Sequence, residues 1–427
     1  MIMRTVEKKI LSKRKEFPVL PMYNNYCLSN IPETILSLFG VKTKRPTLPK
    51  NLFGKNKFKK IIVLLIDGFG YEQWLKNYKN HEFFRKVTKR GKLLPLTSVF
   101  PSTTAAAMTS LHTGLTPQEH TLNEWYVYFK EADMILASLP FMPLDSKLND
   151  KFKKMKLSPR ILFKGKSVYS KLKKCGIKSF AFADSMYSDN PYSKMVYNGG
   201  KITPFVNSSD MIVKLRKAVN KEKGRSYFLA YFGDVDMMSH EYGPNTEEYR
   251  AELSTLSSVI KKELLEKIDK KTAKETLLIV TADHGQLNTE PKKTIYLNGY
   301  KKLVRNFKKS RKGKPIPPSG GPRDMFLHIR EDKVDEVFEY LSKKLGKKAR
   351  IMKTEDAFEK GLFGIGKPKK EFIDRVGNIL ILPNKNETIW YRHIRGKKFK
   401  FLGHHGGLTR EEMLIPFAIV KMSELLK

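Results

Sequence analysis

The sequence predicts an α/β fold built on a mostly parallel central sheet flanked by helices, with a small α+β lobe inserted into it. Runs of branched or aromatic apolar residues recur along the chain (IIVLLI, SFAFA, FLAYF, TLLIV and NILIL), unbroken as in strands buried on both faces. Between them lie stretches of helical periodicity such as SDMIVKLRKAVN and YRAELSTLSSVIKKELLEKI, and this alternation favours crossover connections and a parallel sheet. At 427 residues and 40% hydrophobic content, the chain is long enough for one large α/β domain with insertions.

Residues 1–58 are an N-terminal extension expected to pack on the core, with a basic start, the Pro-containing FPVLPMYNNY and a helical IPETILSLFG. The first part of the core follows as residues 59–290. Its first strand is KKIIVLLIDGFG, and helical pieces follow at YEQWLKN and HEFFRKVTKRG. LLPLTSVFPSTTAAAMTSLHTG predicts a strand, a turn, and an Ala-rich helix begun by Pro101 and Ser102. KSFAFAD, SYFLAYFGDVD and TLLIVTADHG supply further strands. Lys, Gly and Pro break the pattern over residues 291–322, which predict an exposed, mobile insertion. DMFLHIR onwards then reads strand, helix, strand and short helix. Insertion and lobe together take residues 291–370, and the core resumes over 371–427.

The formal net charge is +39, from 82 basic and 43 acidic residues. Lys and Arg are scattered in KK and KKK fragments, not gathered on one arm. That suits a Lys-rich surface or a general attraction for anionic substrates better than a dedicated nucleic-acid arm. Only Cys27 and Cys175 occur, with no CxxC pair, so neither a disulfide framework nor a thiolate metal site is expected. The N-terminus lacks a signal-like apolar stretch, and nowhere is there a run of about 18 apolar residues, so no membrane span is expected and the expected location is cytoplasmic.

Six potential metal ligands mark the site. Asp67 ends IIVLLI, Asp283 and His284 end LLIVTA, Asp236 and His240 lie in DVDMMSH, and His405 lies in GHHGG. A carboxylate closing a doubly buried strand is costly unless it is paired or coordinated. Asp236 and His240, four apart, share one face if that segment is helical, with Cβ atoms about 5–6 Å apart. Carboxylate and imidazole are ligand types for zinc and other divalent metals. In PSTT, Thr103 and Thr104 sit at a helix start, where free amides favour an anion. A threonine hydroxyl needs a base or a metal to become a useful nucleophile. The plain alternative is that both threonines only cap the helix.

With DGFG, FPSTT…TSLHTGLTPQEH, DVDMMSHEYGP, TADHG and GHHGGLTREEMLIP in this order, the chain resembles the alkaline phosphatase superfamily, and within it the type I phosphodiesterase/nucleotide pyrophosphatase branch. The likeness runs from about Ile61 to the end. It implies an alkaline-phosphatase-like sandwich with two divalent ions at the C-terminal edge of the sheet, zinc first, with manganese and iron compatible. Asp236, His240 and His405 would hold one ion. Asp67, Asp283, His284 and the nucleophile would hold the other. Members place the nucleophile about ten residues before a TG glycine, which selects Thr104 over Thr103. The branch often sets its threonine directly before FP, however, and that position here is Val99. Asn123 stands near a branch asparagine that supports a phosphate oxygen.

The resemblance implies a metal-dependent hydrolase of phosphate esters, acting on small anionic phosphate esters or nucleotides. A phosphomonoesterase on the same scaffold is the alternative. Trp125, Tyr126 and Tyr128 are candidates for seating a second alcohol, as diesters require. A basic nucleic-acid-binding protein would explain the charge but not the ligands, and a nuclease would join the two.

Overall fold

The computed structural model describes residues 1–12, 17–54 and 57–427. Strands β1 (Lys60–Ile66), β2 (Lys92–Thr97), β3 (Lys178–Asp184), β4 (Lys201–Phe205), β5 (Ser226–Phe232) and β6 (Thr276–Thr281) enter a main sheet. The chain then forms a second sheet from β7 (Ser319–Gly321), β8 (Asp324–Leu327), β9 (Ala349–Lys353) and β10 (Ile379–Pro383), and returns to the first with β11 (Leu414–Lys421). The main sheet has the order β2-β11-β6-β1-β5-β3-β4. Every residue of β1 and β6 is buried, which is why their sequences are continuous apolar runs and not alternating ones.

Register explains where the chemistry falls. Ile66 pairs with Phe232 and Leu65 with Thr281, all in parallel, so Asp67, the segment after Phe232, and Asp283 leave the sheet at one edge. β11 is antiparallel to both β2 and β6, and its first residue, Leu414, pairs with Thr97 at that same edge. The sheet therefore delivers the ends of β1, β2, β5 and β6 and the approach to β11 to one place. This is the position of ligand sites in open α/β sheets.

The helix α1 (Arg4–Leu11) buries Val6 and Ile10 in the main core, and Ile2 forms a bridge with Leu93. The helix α2 (Thr104–Thr113) begins at Thr104, not at Pro101 as the sequence suggested. Ser102 is held outside it: its N–H donates to Gly406 O at 3.3 Å and its Oγ donates to Gly407 O at 2.8 Å. Helix α3 (Asp234–Tyr242) follows β5, and α4 (Val334–Leu345) packs on β9.

The second sheet, ordered β7-β8-β10-β9 and wholly antiparallel, runs past residue 370 because β10 is an inner strand of it. Residues 291–322 are exposed over 308–315, as their composition suggested, but not throughout. Leu297, Leu303 and Phe307 are buried with Met325, Leu327 and Ile381 in a second apolar core. Their spacing is irregular, so the run shows no periodicity, and only the lobe supplies the surface they cover. No described helix is long and apolar enough to cross a membrane.

Candidate metal centre and active site

Tight backbone turns bring the six candidate ligands together. Gly68 follows Asp67 with φ +67°, and a Cβ there would lie 2.8 Å from Asp236 Oδ1, so only glycine lets the two strand ends close up. Gly285 is hemmed in likewise: a Cβ on it would meet Glu411 O at 2.1 Å. Two groups result among the described residues, Asp236 with His240 and His405, and Asp67 with Asp236 and His284. In each, the ligand atoms lie within 4.8 Å of one another. Asp236 thus stands between the two groups, where the sequence had assigned it to one. Asp283 joins the second through its Oδ2, 3.3 Å from His284 Nε2.

The imidazoles are fixed in orientation by backbone carbonyls. Nδ1 of His240 donates to Gly403 O at 2.8 Å, that of His405 to Ser102 O at 3.0 Å, and that of His284 to Gly285 O at 3.1 Å. With the proton assigned to Nδ1 by these bonds, the neutral rings of His284 and His405 present a bare Nε2 lone pair inward, and His240, raised by the neighbouring Asp236 against the effect of burial, presents its Nε2 to that carboxylate. His284 Nε2 then faces Asp67 Oδ1 at 3.2 Å, Asp283 Oδ2 at 3.3 Å and Thr104 Oγ1 at 3.2 Å. Neither of those carboxylate oxygens accepts a hydrogen bond, and both are buried. On the other side, Asp236 Oδ2 lies 3.3 Å from His240 Nε2, and its Oδ1 lies 3.9 Å from His405 Nε2. Converging lone pairs without protons between them suit a cation and little else, so the donor set fits divalent metal.

Electrostatics agree. Burial, reinforced by Asp283 and Asp236, holds the Asp67 carboxyl well above its usual range, and burial pushes Asp283 up to about 6. Burial also lowers His284 to about 4 and His405 to about 3. For Asp236 burial acts upward but is outweighed by adjacent His240, so its carboxyl stays below the usual range. A divalent ion would reverse the upward shifts of Asp67 and Asp283 and reinforce the downward shifts of His284, His405 and Asp236, since it favours every deprotonated form.

Two supporting residues carry no sequence signal of the ligand type. Tyr231, on β5, donates its hydroxyl to Asp67 Oδ2, and Gln286 donates its amide to Asp236 Oδ1. Gln286 was findable as the residue after DHG. Tyr231 looks like one more strand aromatic until register sets it beside Leu65.

The site opens into a cleft of about 580 Å³. Thr103, Thr104, Asp236, His240 and His405 line its floor. Neither threonine caps α2 with its side chain. Thr104 reaches His284, whereas Thr103 Oγ1 is buried and unpartnered. Asn123 is fully buried with neither amide atom hydrogen-bonded, next to Glu124, which lines the cleft and which burial pushes up to about 7. No hydrogen bond links Asn123 to the ligands among the described residues. Trp125 and Tyr126 line a wall of the cleft, while Tyr128 is buried away from it against Ile135 and Ile316. Trp390, Phe399 and Phe401 form more of the wall, and Lys397, Lys398 and Lys400 also face it.

Comparison with known proteins gives one family. Residues 61–408 match type I phosphodiesterase/nucleotide pyrophosphatase. The human ectonucleotide pyrophosphatase/phosphodiesterase family member 1 is 27% identical over 219 residues, 49% of this chain but only 21% of the human protein. Among solved structures, murine ectonucleotide pyrophosphatase/phosphodiesterase 5, an inactive variant in complex with AMP, superposes with TM-score 0.62 at 19% identity, covering 86% of this chain and 92% of that one. Phosphonoacetate hydrolase from Sinorhizobium meliloti, in complex with phosphonoformate, superposes with TM-score 0.59 at 16% identity, covering 86% and 93%. With the family matched from the first core strand to the loop beyond His405, on the fold of these solved structures, the chain belongs to the type I phosphodiesterase/nucleotide pyrophosphatase family.

Proposed function

We propose that the protein is a metal-dependent phosphodiesterase/nucleotide pyrophosphatase that acts by displacement on Thr104. One observation carries the reading. Thr104 Oγ1 sits at the first turn of α2, open to the cleft and 3.2 Å from the His284 nitrogen on which the Asp67 and Asp283 carboxylates also converge. Asp67, Asp283 and His284 would hold one divalent ion with Thr104, and Asp236, His240 and His405 a second. Zinc suits this mixed carboxylate and imidazole set, and manganese or iron is compatible. Such ions lower the pKa of a bound hydroxyl or water and offset charge on phosphoryl oxygens.

The chain's own groups complete the chemistry. Thr104 Oγ is directed at phosphorus by the helix start that carries it, and the free amides of that first turn face the equatorial oxygens. Asn123, buried with an unpaired amide, is the further donor to one of those oxygens. Tyr231 and Gln286 lock the carboxylates of Asp67 and Asp236, so the ligands pay little rearrangement on binding. The AMP and phosphonoformate held by the structural neighbours are small phosphorus-containing anions, which supports a nucleotide or similar small ester here.

Hydrolysis of p-nitrophenyl thymidine monophosphate and bis-p-nitrophenyl phosphate, set against p-nitrophenyl phosphate, tests the proposal, each with added zinc or manganese and with EDTA. Preference for the diesters, abolished by EDTA, is expected. Preference for the monoester would make the enzyme a phosphatase, and activity indifferent to EDTA would overturn the metal assignment.

A further inference from the structure

The family match begins at residue 61, and nothing in it assigns a role to the chain before that point. Part of that earlier chain is built against the approach to Thr104. Cys27 forms a parallel bridge with Thr97, the last residue of β2. Met22 N donates to Thr97 Oγ1 at 2.9 Å, and Thr97 N donates to Tyr26 O at 2.8 Å. The turn Leu28–Asn30 and the helix Ile31–Leu38 follow, and both pack against α2, the helix that begins at Thr104. Residues 22–38 therefore touch both ends of the segment that joins β2 to α2.

Tyr23 reaches the middle of that segment. It is buried, and its hydroxyl accepts from Phe100 N at 3.2 Å and donates to Leu362 O at 2.8 Å. Leu362 lies between β9 and β10, and its neighbour Phe363 sets its ring 5.3 Å from that of Phe100. One phenol thus joins three stretches of chain that are distant in sequence. Ser98 is tied to Met413 O and Asp283 O. Past Phe100, Pro101 has no N–H to give, and Ser102 is bound to Gly406 O and Gly407 O. The turn that carries Thr104 is therefore gripped from two sides, by Tyr23 at Phe100 and by the His405 loop at Ser102.

Resting on the proposed reading of Thr104 as nucleophile, we infer that Tyr23 is a positioning residue, whose hydroxyl fixes the turn at Phe100 and so sets where Thr104 Oγ1 stands against the metal centre. Tyr23 acts only through the backbone of Phe100, four residues before the nucleophile. Burial holds the phenol well above its usual range, so the hydroxyl keeps its proton and both of its bonds. Without that hydroxyl, the Phe100 N–H and the Leu362 carbonyl each lose a partner in a place without water. The ring alone still fills its space, so the loss falls on the turn and not on the core. A shift of about 1 Å in a reacting group is enough to slow a displacement by about 100-fold.

The test compares Tyr23→Phe with Ile10→Val, a conservative change at a buried core position of α1, each in the full chain. Amide hydrogen exchange read by mass spectrometry should quicken about tenfold in Tyr23→Phe over residues 98–106, and by less than about twofold in β1 and β6. The kcat for p-nitrophenyl thymidine monophosphate with added zinc should fall about 10- to 100-fold, while KM and zinc affinity change by less than about threefold. Ile10→Val should show neither effect. Unchanged exchange over 98–106, exchange quickened equally throughout the core, an equal loss of kcat in Ile10→Val, or full kcat in Tyr23→Phe would each overturn the assignment. If the wild-type protein hydrolyses no phosphate ester, the nucleophile reading fails by itself. The exchange measurement then decides whether Tyr23 holds the turn: quickening confined to 98–106 upholds it, and its absence refutes it.

Discussion

Replacing Glu412 by alanine should loosen the His405 loop and destabilise the whole domain. Glu412 and Arg323 are both fully buried. The carboxylate accepts from Arg323 Nε at 2.9 Å and Nη2 at 3.0 Å, from Gly407 N at 3.0 Å, and from Thr409 Oγ1 at 2.7 Å. Gly407 is two residues from His405, and its carbonyl accepts from Ser102, so the carboxylate anchors the loop on both sides of the site. Without Glu412, Arg323 keeps, among the described residues, only the Glu387 carbonyl, at 2.5 Å. Removing one partner of a buried pair costs about 3–5 kcal/mol, and the orphaned Gly407 amide adds about 1 kcal/mol. Against a total stability of about 5–15 kcal/mol, that is about a quarter or more. With a urea slope of about 3 kcal/mol per M, the midpoint should fall by more than about 1 M. Urea unfolding followed by circular dichroism measures it, with Glu412→Gln as the milder control. A loss under about 1 kcal/mol for the alanine variant would refute the claim that this pair holds the loop.

Three further outcomes are expected. Thr104→Ala should reduce turnover by about 10³-fold or more while leaving circular dichroism and metal content unchanged; full activity, with Thr103→Ala inactive instead, would move the nucleophile to Thr103. Asp283→Asn should weaken metal binding by at least about tenfold, read by competition with a chromogenic chelator, and unchanged affinity would remove Asp283 from the ligands. His112 sits away from the metal site, packed on Tyr169 and Tyr197, and burial lowers it to about 3, so it stays neutral in the folded protein where the unfolded chain binds a proton. Its contribution to stability is therefore complete above about pH 6.5 and is lost as pH falls toward 3, by up to about 1.4 kcal/mol per pH unit. His112→Phe should flatten the stability profile between pH 6 and 4 by about that slope, and an unchanged profile would show that His112 is protonated in the fold.

Local pattern was enough for the features whose cause is local. A six-residue run of branched apolar residues closed by Asp-Gly or Asp-His-Gly reads as a doubly covered strand, so Asp67 and Asp283 were readable as residues expelled at its end. A spacing of four placed Asp236 and His240 on one helix face, 3.3 Å apart as found. What pairing across the chain decides was not readable. Tyr231 reaches Asp67 only because β1 and β5 align Leu65 with it. Helix α2 starts at Thr104 because Ser102 is bound by Gly406 and Gly407, some 300 positions away in sequence. Leu297, Leu303 and Phe307 were hidden in a Lys- and Gly-rich run whose buried partners belong to other strands. The sequence by itself determined which side chains this protein has for binding cations and where strands must end. Only the tertiary structure decided that Asp236 stands between two candidate ligand groups and that Lys397, Lys398 and Lys400 face the cleft, because such contacts depend on register and chain return, which no local periodicity encodes.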